Sequence, residues 1–331
     1  MINGQLKNEK VLIEKPKDIG RLYTKSHFGR TKSGGALELD LLESVFLVDE
    51  SKLKIWENKK TLDFEKIVNI AKQKIEEFEI SYLAFKDLRK RGYAIKNSID
   101  KNITFQHFDK KIFIIVFSEQ DTVDFKSLLD IIKKYKKKNA NLWISIVDEE
   151  GDITYYDTDI LDIKGKNKEF EYSSTTATLL KDRVLVFDKK LGKNLFEKEF
   201  YGKKFGKGLQ LSIIEAIYLA EKGVLKKFEL KKVLKNQPEL KNKLKVFKDL
   251  KKRGLLVKTG FKFGTHFRAY TKSPNQAHAE YLIHILGEKN KSYWSEISRA
   301  VRLAHSVNKE ICFALFKQDK IKYLKFGRLR P

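Results

Sequence analysis

The sequence predicts an α/β fold built from two tandem copies of one unit, and three sets of matching segments support this. FKDLRKRGYAIK at 85–96 and FKDLKKRGLLVK at 247–258 are identical at eight of twelve positions. Each reads as the end of a helix, a glycine (Gly92 or Gly254) and then a strand. Because the matches recur at a spacing of 162 to 172 residues, they indicate an internal duplication. The flanking matches are LELDLLESVFLV at 37–48 with LQLSIIEAIYLA at 209–220, and LWISIVDEEGDITYY at 142–156 with EICFALFKQDKIKYL at 310–324.

These segments also predict the elements within each copy. The first flanking pair places one glutamate, Glu43 or Glu215, inside an apolar run, which is typical of a helix packed on a sheet. The second pair reads as strand, charged turn, strand. The charged, glycine-containing DIKGKNKEF at 162–170 marks the boundary, so we divide the chain into 1–165 and 166–331.

The net charge of +25 and the isoelectric point near 9.7 favour a nucleic-acid partner. Lysine and arginine side chains that contact phosphates release condensed counterions, which drives binding to RNA or DNA. A lysine-rich surface without such a partner is the alternative explanation of this charge.

The single cysteine, Cys312, excludes an intramolecular disulfide and a cysteine-based zinc cluster. The first residues lack the apolar core of a signal peptide, and the apolar run IFIIVF at 112–117 is too short to span a bilayer. We therefore expect a cytoplasmic protein without a membrane partner.

The second copy places three polar side chains where elements begin or end. TGFKFGTHFRAY reads as a pair of strands that ends at Tyr270, and HAEYLIHIL reads as a strand that begins at His278. Antiparallel pairing across the Ser-Pro-Asn turn puts both residues beside one loop. A helix predicted at roughly 293–308 gives way to the next strand at Lys309.

A tyrosine, a histidine and a lysine without carboxylates suit RNA cleavage by the 2′-hydroxyl. Histidine transfers protons near neutral pH, and lysine stabilises the charge that develops at phosphorus. Comparison of the copies places Phe108 opposite Tyr270 and Asn141 opposite Lys309, and no residue matches His278. Spacing alone does not choose among the histidines that could act: His278, His266, His284 and His305.

The second copy resembles the archaeal tRNA-splicing endonucleases. GFKFGTHFRAY, HAEYL and RLAHSVNK carry the resemblance in order, and it covers essentially all of 175–331. Each repeat would then have a small α/β N-terminal subdomain and a nuclease-like C-terminal α/β subdomain with a mixed sheet. In the second repeat these would be about 175–245 and about 246–331. The first repeat resembles the structural half of the two-repeat, homodimeric form.

The resemblance implies a role for each site residue. Tyr270 would be the general base on the 2′-hydroxyl, His278 the general acid, and Lys309 the transition-state stabiliser. The substrate would be precursor tRNA folded as a bulge-helix-bulge, cut into 2′,3′-cyclic phosphate and 5′-hydroxyl ends without metal or cofactor. Arg302 would be the first of two cations that clamp a flipped bulge base, with Arg328 or Lys325 as the second.

The resemblance also explains why the first copy persists. Its turn DEEGD is acidic in a basic chain, whereas the matching KQDK at 317–320 is not. In the family such a turn inserts into a basic pocket of the catalytic unit of another subunit, which implies a homodimer here. The residues are Asp148, Glu149, Glu150 and Asp152. Asn308 stands where the family often has a basic residue, and we expect this difference to alter a phosphate contact only.

Two alternatives stay open. A metal-dependent α/β DNA nuclease would need clustered carboxylates to hold Mg²⁺, but Glu280 and Glu296 stand apart in the second copy. A non-catalytic RNA-binding protein would fit the charge, but it does not explain why tyrosine and lysine occur in one copy only.

Overall fold

The computed structural model describes residues 1–226, 240–287, 291–317 and 320–331. The predicted α/β fold is confirmed, because each half combines helices with β-sheet and the largest sheet has both parallel and antiparallel pairs. Residues 318–319 of the turn at 317–320 lie outside the described residues.

The first half begins with a six-stranded sheet in the order β3-β4-β2-β1-β5-β6 and continues into strands of a larger sheet. Its strands are β1 (Ile2–Lys7), β2 (Lys10–Ile13), β3 (Arg30–Thr31), β4 (Leu37–Leu39), β5 (Leu53–Glu57), β6 (Lys60–Leu62), β7 (Ile95–Asn97), β8 (Phe105–His107), β9 (Ile112–Ser118), β10 (Thr122–Asp124), β11 (Asn141–Val147) and β12 (Ile153–Leu161). Its helices are α1 (Pro16–Ile19), which runs into a π-helical turn at Gly20–Thr24, α2 (Leu41–Asp49), α3 (Phe64–Lys74), α4 (Phe78–Lys90) and α5 (Phe125–Lys137).

The second half repeats this plan with a four-stranded sheet in the order β14-β15-β17-β16. Its strands are β13 (Thr175–Thr176), β14 (Thr178–Leu179), β15 (Arg183–Val186), β16 (Lys203–Phe205), β17 (Gly208–Ser212), β18 (Leu225–Lys226), β19 (Leu256–Thr259), β20 (Phe267–Tyr270), β21 (Tyr281–Ile285), β22 (Lys291–Tyr293), β23 (Glu310–Lys317) and β24 (Lys320–Leu329). Its described helices are α6 (Lys189–Glu199), α7 (Ile213–Glu221), α8 (Leu240–Lys252) and α9 (Trp294–Ser306), with a 3₁₀ turn at Phe261–Phe263.

The two halves share one ten-stranded sheet, in the order β19-β20-β21-β23-β24-β12-β11-β9-β8-β7. Its centre is the antiparallel pair of β12 and β24, with seven paired positions from Tyr155 with Leu329 to Leu161 with Tyr323. Helices α5 and α9 pack on one face of this sheet and bury a common core that includes Phe125 and Trp294. Each half therefore covers the edge strand of the other, which would otherwise expose unpaired backbone groups.

The pairing of the halves follows an internal two-fold axis. Asn139 and Asn308 mark equivalent positions, because both are left-handed and each follows the corresponding helix, α5 or α9. When equivalent positions are followed from these asparagines through the hairpins β11–β12 and β23–β24, Thr158 is the counterpart of Phe326. Thr158 and Phe326 also pair with each other, as equivalent residues beside a two-fold axis do. A second, two-stranded ribbon of β10 and β22 also joins the halves. The chain is therefore folded as a dimer of its own two copies.

A buried glutamate fixes the start of the equivalent helices α2 and α7. Glu43 closes a capping box with Asp40, and Glu215 closes one with Ser212. The other oxygen of each glutamate accepts a backbone N–H from a preceding loop, at 2.8 Å from the nitrogen of Gly29 and at 3.0 Å from that of Gly202. Burial, aided by the nearby Asp40, raises the pKa of Glu43 to about 8.

The segment between the halves docks on the loop after α8. The N–H of Gly165 donates to the carbonyl of Arg253 at 2.9 Å, and the N–H of Asn167 donates to the carbonyl of Gly254 at 3.0 Å. The guanidinium of Arg253 also binds Asp162 at 2.9 Å. The backbones approach so closely at Gly165 that a Cβ there would lie 2.0 Å from the carbonyl oxygen of Gly254. This segment is thus part of the folded structure.

We expect Gly165→Ala to destabilise the protein by about 1–3 kcal/mol, because the added methyl group would force two backbones apart. Urea unfolding followed by circular dichroism measures this. Gly20→Ala is the matched control, since a Cβ at Gly20 meets nothing within 4 Å and its backbone is right-handed. Its stability should stay within about 0.5 kcal/mol of the wild type. Equal stability of the two variants would contradict the docked linker.

Candidate active site

Tyr270 is the last residue of β20 and lies next to the edge of the sheet. Its side chain is buried in a small group with Leu256 and Ala279, which we call the Tyr270 cluster. Phe200, the residue that ends α6 in a left-handed conformation, packs against this cluster. The N-terminal part of the second half therefore supplies one wall of the site.

Lys309 lies where α9 gives way to β23, as predicted. Asn308 has a φ of 53°, which ends the helix and turns the chain into the strand. The N–H of Lys309 donates to the carbonyl of Ala304 at 3.1 Å. The ammonium group of Lys309 lies 5.7 Å from the centre of the Phe263 ring, within the range of a cation–π contact.

His278 is exposed and lies in the loop between β20 and β21. The prediction that a strand begins at His278 is wrong, because β21 begins at Tyr281. The loop has its own hydrogen bonds: Thr271 donates to the carboxylate of Glu280, and the N–H of Ala277 donates to the carbonyl of Ser273 at 3.1 Å. The loop lengthens the path from Tyr270 and leaves the imidazole accessible to solvent.

The strand register brings Tyr270 and Lys309 to the same end of the sheet, and His278 lies in the loop beside them, next to Ala279 of the Tyr270 cluster. Ala269 pairs with Tyr281 in the antiparallel pair of β20 and β21, and Tyr281 pairs with Glu310 in the parallel pair of β21 and β23. The end of β20 and the beginnings of β21 and β23 therefore lie side by side, with neighbouring strands about 4.8 Å apart. Tyr270 follows Ala269, Lys309 precedes Glu310, and His278 precedes Tyr281 by three residues.

The other histidines of the second half differ from His278. The imidazole of His266 accepts the N–H of Ile285 at 3.0 Å, and burial lowers the pKa of His266 to about 4. Its ring lies 4.9 Å from that of His284, whose pKa is also lowered by burial. Packing in the sheet accounts for both residues. His305 is exposed on the last turn of α9.

The equivalent edge of the first half lacks this chemistry. The register pairs Phe105 with Ile114 and Phe267 with Ile283, which makes Phe108 the counterpart of Tyr270, as predicted. Only three residues separate Phe108 from Ile112, the first residue of β9. Ten separate Tyr270 from β21, so the first half has no segment that corresponds to His278.

The predicted match of Lys309 with Asn141 is wrong by one residue. Lys309 follows Asn308, and the residue that follows the equivalent Asn139 is Ala140. The parallel strand pairs give the same match. Asn141 pairs with the first residue of β9, and Glu310 pairs with the first residue of β21, so Asn141 is the counterpart of Glu310. The first half therefore has alanine, not asparagine, at the lysine position.

Sequence comparison missed one cation beside Tyr270. Arg268 is two residues earlier on β20, and its guanidinium carbon lies 5.8 Å from the centre of the Tyr270 ring. The strand register makes Gln106 its counterpart in the first half. The sequence could have indicated Arg268, because the first half has glutamine at its counterpart, two residues before the phenylalanine that replaces Tyr270.

Arg302 and Arg328 line one cleft between the halves. The cleft has a volume of about 580 Å³, and Tyr156 is also part of its wall. Burial raises the pKa of Tyr156, and the charges of Arg328 and Arg302 oppose that rise, which agrees with two guanidinium groups close to one phenol. Lys325 is not among the residues of this cleft, and its ammonium binds the carboxylate of Glu310.

The acidic turn joins β11 to β12. The carboxylate of Asp148 accepts the N–H groups of Glu150 and Asp152 at 3.1 and 2.9 Å, which holds the turn in shape. Gln120 donates to the carboxylate of Glu149 at 2.7 Å. The carboxylate of Glu150 has no partner within the described residues, so the turn carries accessible negative charge.

The described residues contain neither a cluster of metal-binding side chains nor a membrane-spanning helix. In residues 1–226, 240–287, 291–317 and 320–331, no three histidine, cysteine, aspartate or glutamate side chains are grouped as metal ligands would be. Over the same ranges, no helix combines the length and apolar composition that crossing a bilayer requires.

The fold and the site agree with one known class of protein. A family model described as "tRNA intron endonuclease, catalytic C-terminal domain" matches residues 78–155 and 240–323. A second, described as "tRNA intron endonuclease, N-terminal domain", matches residues 2–68 and 175–235. Each model matches twice, which agrees with the duplication, and together they cover most of the chain. The chain belongs to the tRNA intron endonuclease family.

The chain is similar along its whole length to curated archaeal proteins named tRNA-splicing endonuclease. The protein of Methanococcoides burtonii is 36% identical, over 99% of this chain and 100% of its own length. That of Methanosarcina mazei is 34% identical, over 100% of this chain and 99% of its own length. That of Methanosarcina barkeri is 34% identical, over 98% and 99%.

Proposed function

We propose that the protein is a tRNA-splicing endonuclease that excises introns from precursor tRNA at bulge-helix-bulge junctions. The observation that carries this proposal is that Tyr270 and Lys309 lie at the ends of neighbouring strands, with His278 in the loop that follows Tyr270. Full-length similarity to archaeal tRNA-splicing endonucleases supports the substrate class. The net charge of +25 suits a polyanionic substrate, and the cytoplasm is the compartment in which we expect it to work.

The reaction is the attack of a ribose 2′-hydroxyl on the adjacent phosphorus. Tyr270 takes the proton of the 2′-hydroxyl, and the new bond to phosphorus closes the 2′,3′-cyclic phosphate. His278 gives a proton to the departing 5′-oxygen, which leaves as a 5′-hydroxyl. Lys309 stabilises the extra negative charge on the phosphorane oxygens. The accessible position of His278 suits a group that must reach the leaving strand.

The two halves have different tasks in this proposal. Residues 166–331 form the catalytic repeat, with an N-terminal part at about 175–245 and a catalytic part at about 246–331. Residues 1–165 form a structural repeat that covers the edge of the catalytic sheet. The short loop after Phe108 and the alanine at the lysine position support this division.

Arg302 and Arg328 would clamp an unpaired bulge base between their guanidinium planes. Planar cations stack on splayed bases, which is a known way to read single-stranded RNA. The shared cleft favours Arg328 over Lys325 as the second cation, because Lys325 is held by Glu310.

The acidic turn would join two chains into a homodimer. Asp148, Glu149, Glu150 and Asp152 carry negative charge on a basic protein, so a basic surface of a second copy is a complementary partner. A homodimer would have two catalytic repeats, one for each end of an intron.

We expect the wild type to cleave a bulge-helix-bulge RNA in excess EDTA. Tyr270→Phe, His278→Ala and Lys309→Ala should each reduce kcat about 100-fold or more, with little change in RNA binding, because each removes a group that acts in the transition state. Phe108→Tyr is the matched control and should leave kcat unchanged, since its edge lacks the histidine and the lysine. Single-turnover cleavage and gel-shift titration measure the two quantities.

Two results of that assay would overturn the proposal. Cleavage that requires Mg²⁺ would point to a metal-dependent nuclease. RNA that is bound but left intact under all metal conditions would point to an RNA-binding protein.

For the base clamp, we expect Arg302→Ala and Arg328→Ala each to weaken cleavage of a bulged RNA by about 10-fold, because a stacked base contributes about 1–3 kcal/mol. Lys325→Ala should lose less than about threefold. Cleavage rates of bulged and fully paired RNAs are the measurement. A larger loss for Lys325→Ala than for Arg328→Ala would reverse the assignment.

For the homodimer, we expect light scattering to report twice the chain mass at low salt. Glu150→Lys should shift the protein toward single chains, because the turn then repels a basic partner surface. Glu197→Lys, a charge reversal on the exposed face of α6, is the control and should leave the mass unchanged. Equal masses for both variants would show that the acidic turn is not part of the interface.

A further inference from the structure

Arg268 lies in an unfavourable position for a cation that serves only the fold. Its Nε is buried and has no hydrogen-bond partner in the part of the chain that the structure describes. The residue directly opposite on β19 is Lys258, so two positive side chains occupy facing positions. Like charges across a strand pair are destabilising, and so is a buried donor without a partner.

The positive charge of Lys258 is balanced by nearby oxygen atoms, whereas no carboxylate balances the charge of Arg268 within the described residues. The ammonium of Lys258 donates to the carbonyls of Phe200 and Gly202 at 2.6 and 2.9 Å, and it lies 3.6 Å from the carboxylate of Glu215. Within the described ranges, Arg268 forms no ion pair with a carboxylate. Its contact is with the Tyr270 ring, at 5.8 Å from the ring centre.

The first half keeps the lysine and loses the arginine. Lys96 pairs with Gln106, the counterpart of Arg268, and the ammonium of Lys96 donates to the carbonyl of Gly29 at 2.6 Å. Glutamine there removes the repulsion, and phenylalanine at 108 removes the hydroxyl. The two differences occur at alternate positions on one side of the chain. On the other side, Phe267 is matched by Phe105, and Ala269 is matched by His107.

We propose that Arg268 is a positioning residue for Tyr270. The guanidinium of Arg268 holds the phenol ring of Tyr270 in place and stabilises the negative charge on that ring during proton transfer. This inference rests on the proposed function of Tyr270 as general base. The phenol oxygen must be without its proton before it accepts the one from the 2′-hydroxyl. A cation placed beside the ring stabilises the negative charge that the ring carries during the transfer.

The same charge explains why the uncompensated position is retained. A site that stabilises a transient charge has to be arranged before the charge develops, and its groups are then poorly satisfied in the resting protein. A carboxylate partner would relieve Arg268 in the resting protein, but it would also cancel the charge that Tyr270 needs. We therefore expect Arg268 to lower the stability of the folded protein while it serves Tyr270.

Arg268→Gln, which introduces the residue found in the first half, tests the inference. We expect kcat to fall about 10-fold or more with KM changed less than about threefold. The urea midpoint should stay equal or rise. Arg268→Lys should restore part of the rate.

Gln106→Ala in the first half is the matched control and should leave the rate unchanged. In a Tyr270→Phe background, Arg268→Gln should cause little further loss, since the arginine acts through the tyrosine. An equal loss of rate with and without the Tyr270 hydroxyl, or a lower urea midpoint that accounts for the loss, would make Arg268 structural and overturn the inference.

A structural measurement without RNA separates this inference from the proposed function. In Arg268→Gln, the Tyr270 ring should leave its place against Leu256 and Ala279, which a crystal structure of the variant would show. If the wild type leaves RNA intact but the ring moves in the variant, the proposed function fails and the contact between Arg268 and Tyr270 stands. If the wild type cleaves RNA and the ring does not move, the inference fails alone.

Discussion

The pairing of β12 with β24 is the interaction on which the rest of the structure depends. Each strand is the last of its half, and each would be an open edge if the halves were separate. Their seven paired positions close both edges and bring α5 and α9 over one core, in which Trp294 and Phe125 are fully buried. The strands β20, β21 and β23, whose ends carry the candidate site, lie on one side of that junction, so their register is fixed by a sheet that both halves complete.

A second constraint acts at the outer edge of the sheet. Glu215 holds the loop at Gly202, and Lys258 holds the carbonyls of the same loop. These contacts place Phe200 against the Tyr270 cluster. The same glutamate and lysine recur in the first half, at Glu43 and Lys96, although that half has no catalytic edge. The scaffold is therefore common to both halves, and the proposed chemistry depends on a few side chains that only one half carries.

The sequence predicted the duplication, the α/β class and the place of Lys309, because these depend on local patterns. Periodicity and the glycines at 92 and 254 identify helices and their ends wherever the chain is placed. The sequence did not predict the joining of the halves, since strand pairing across a dimer-like axis depends on which edges meet in three dimensions. The contact of Phe200 with the Tyr270 cluster was missed for the same reason.

The two errors at the site have different causes. Alternation in HAEYLIHIL placed the start of a strand at His278, but the first three residues of that pattern belong to the loop before β21. Five residues lie between the paired Val147 and Ile153, but four lie between the equivalent pair, Phe316 and Ile321. This difference of one residue displaced the match of Lys309 onto Asn141. Residues of the two copies can be matched along a strand by their alternation. A loop whose length differs between the copies shifts the match of every residue on its far side.

The linker docked at Gly165 has a consequence for how the chain tolerates mutation. Two separate subunits would meet at a rate and an occupancy set by their concentrations, whereas tethered halves meet at a local concentration of about millimolar or higher. A substitution in β12 or β24 that would separate independent subunits can then do no more than open the junction briefly, and the halves close again within the same molecule. The first half is thus free to lose side chains that serve chemistry, provided that its edge strand still fits.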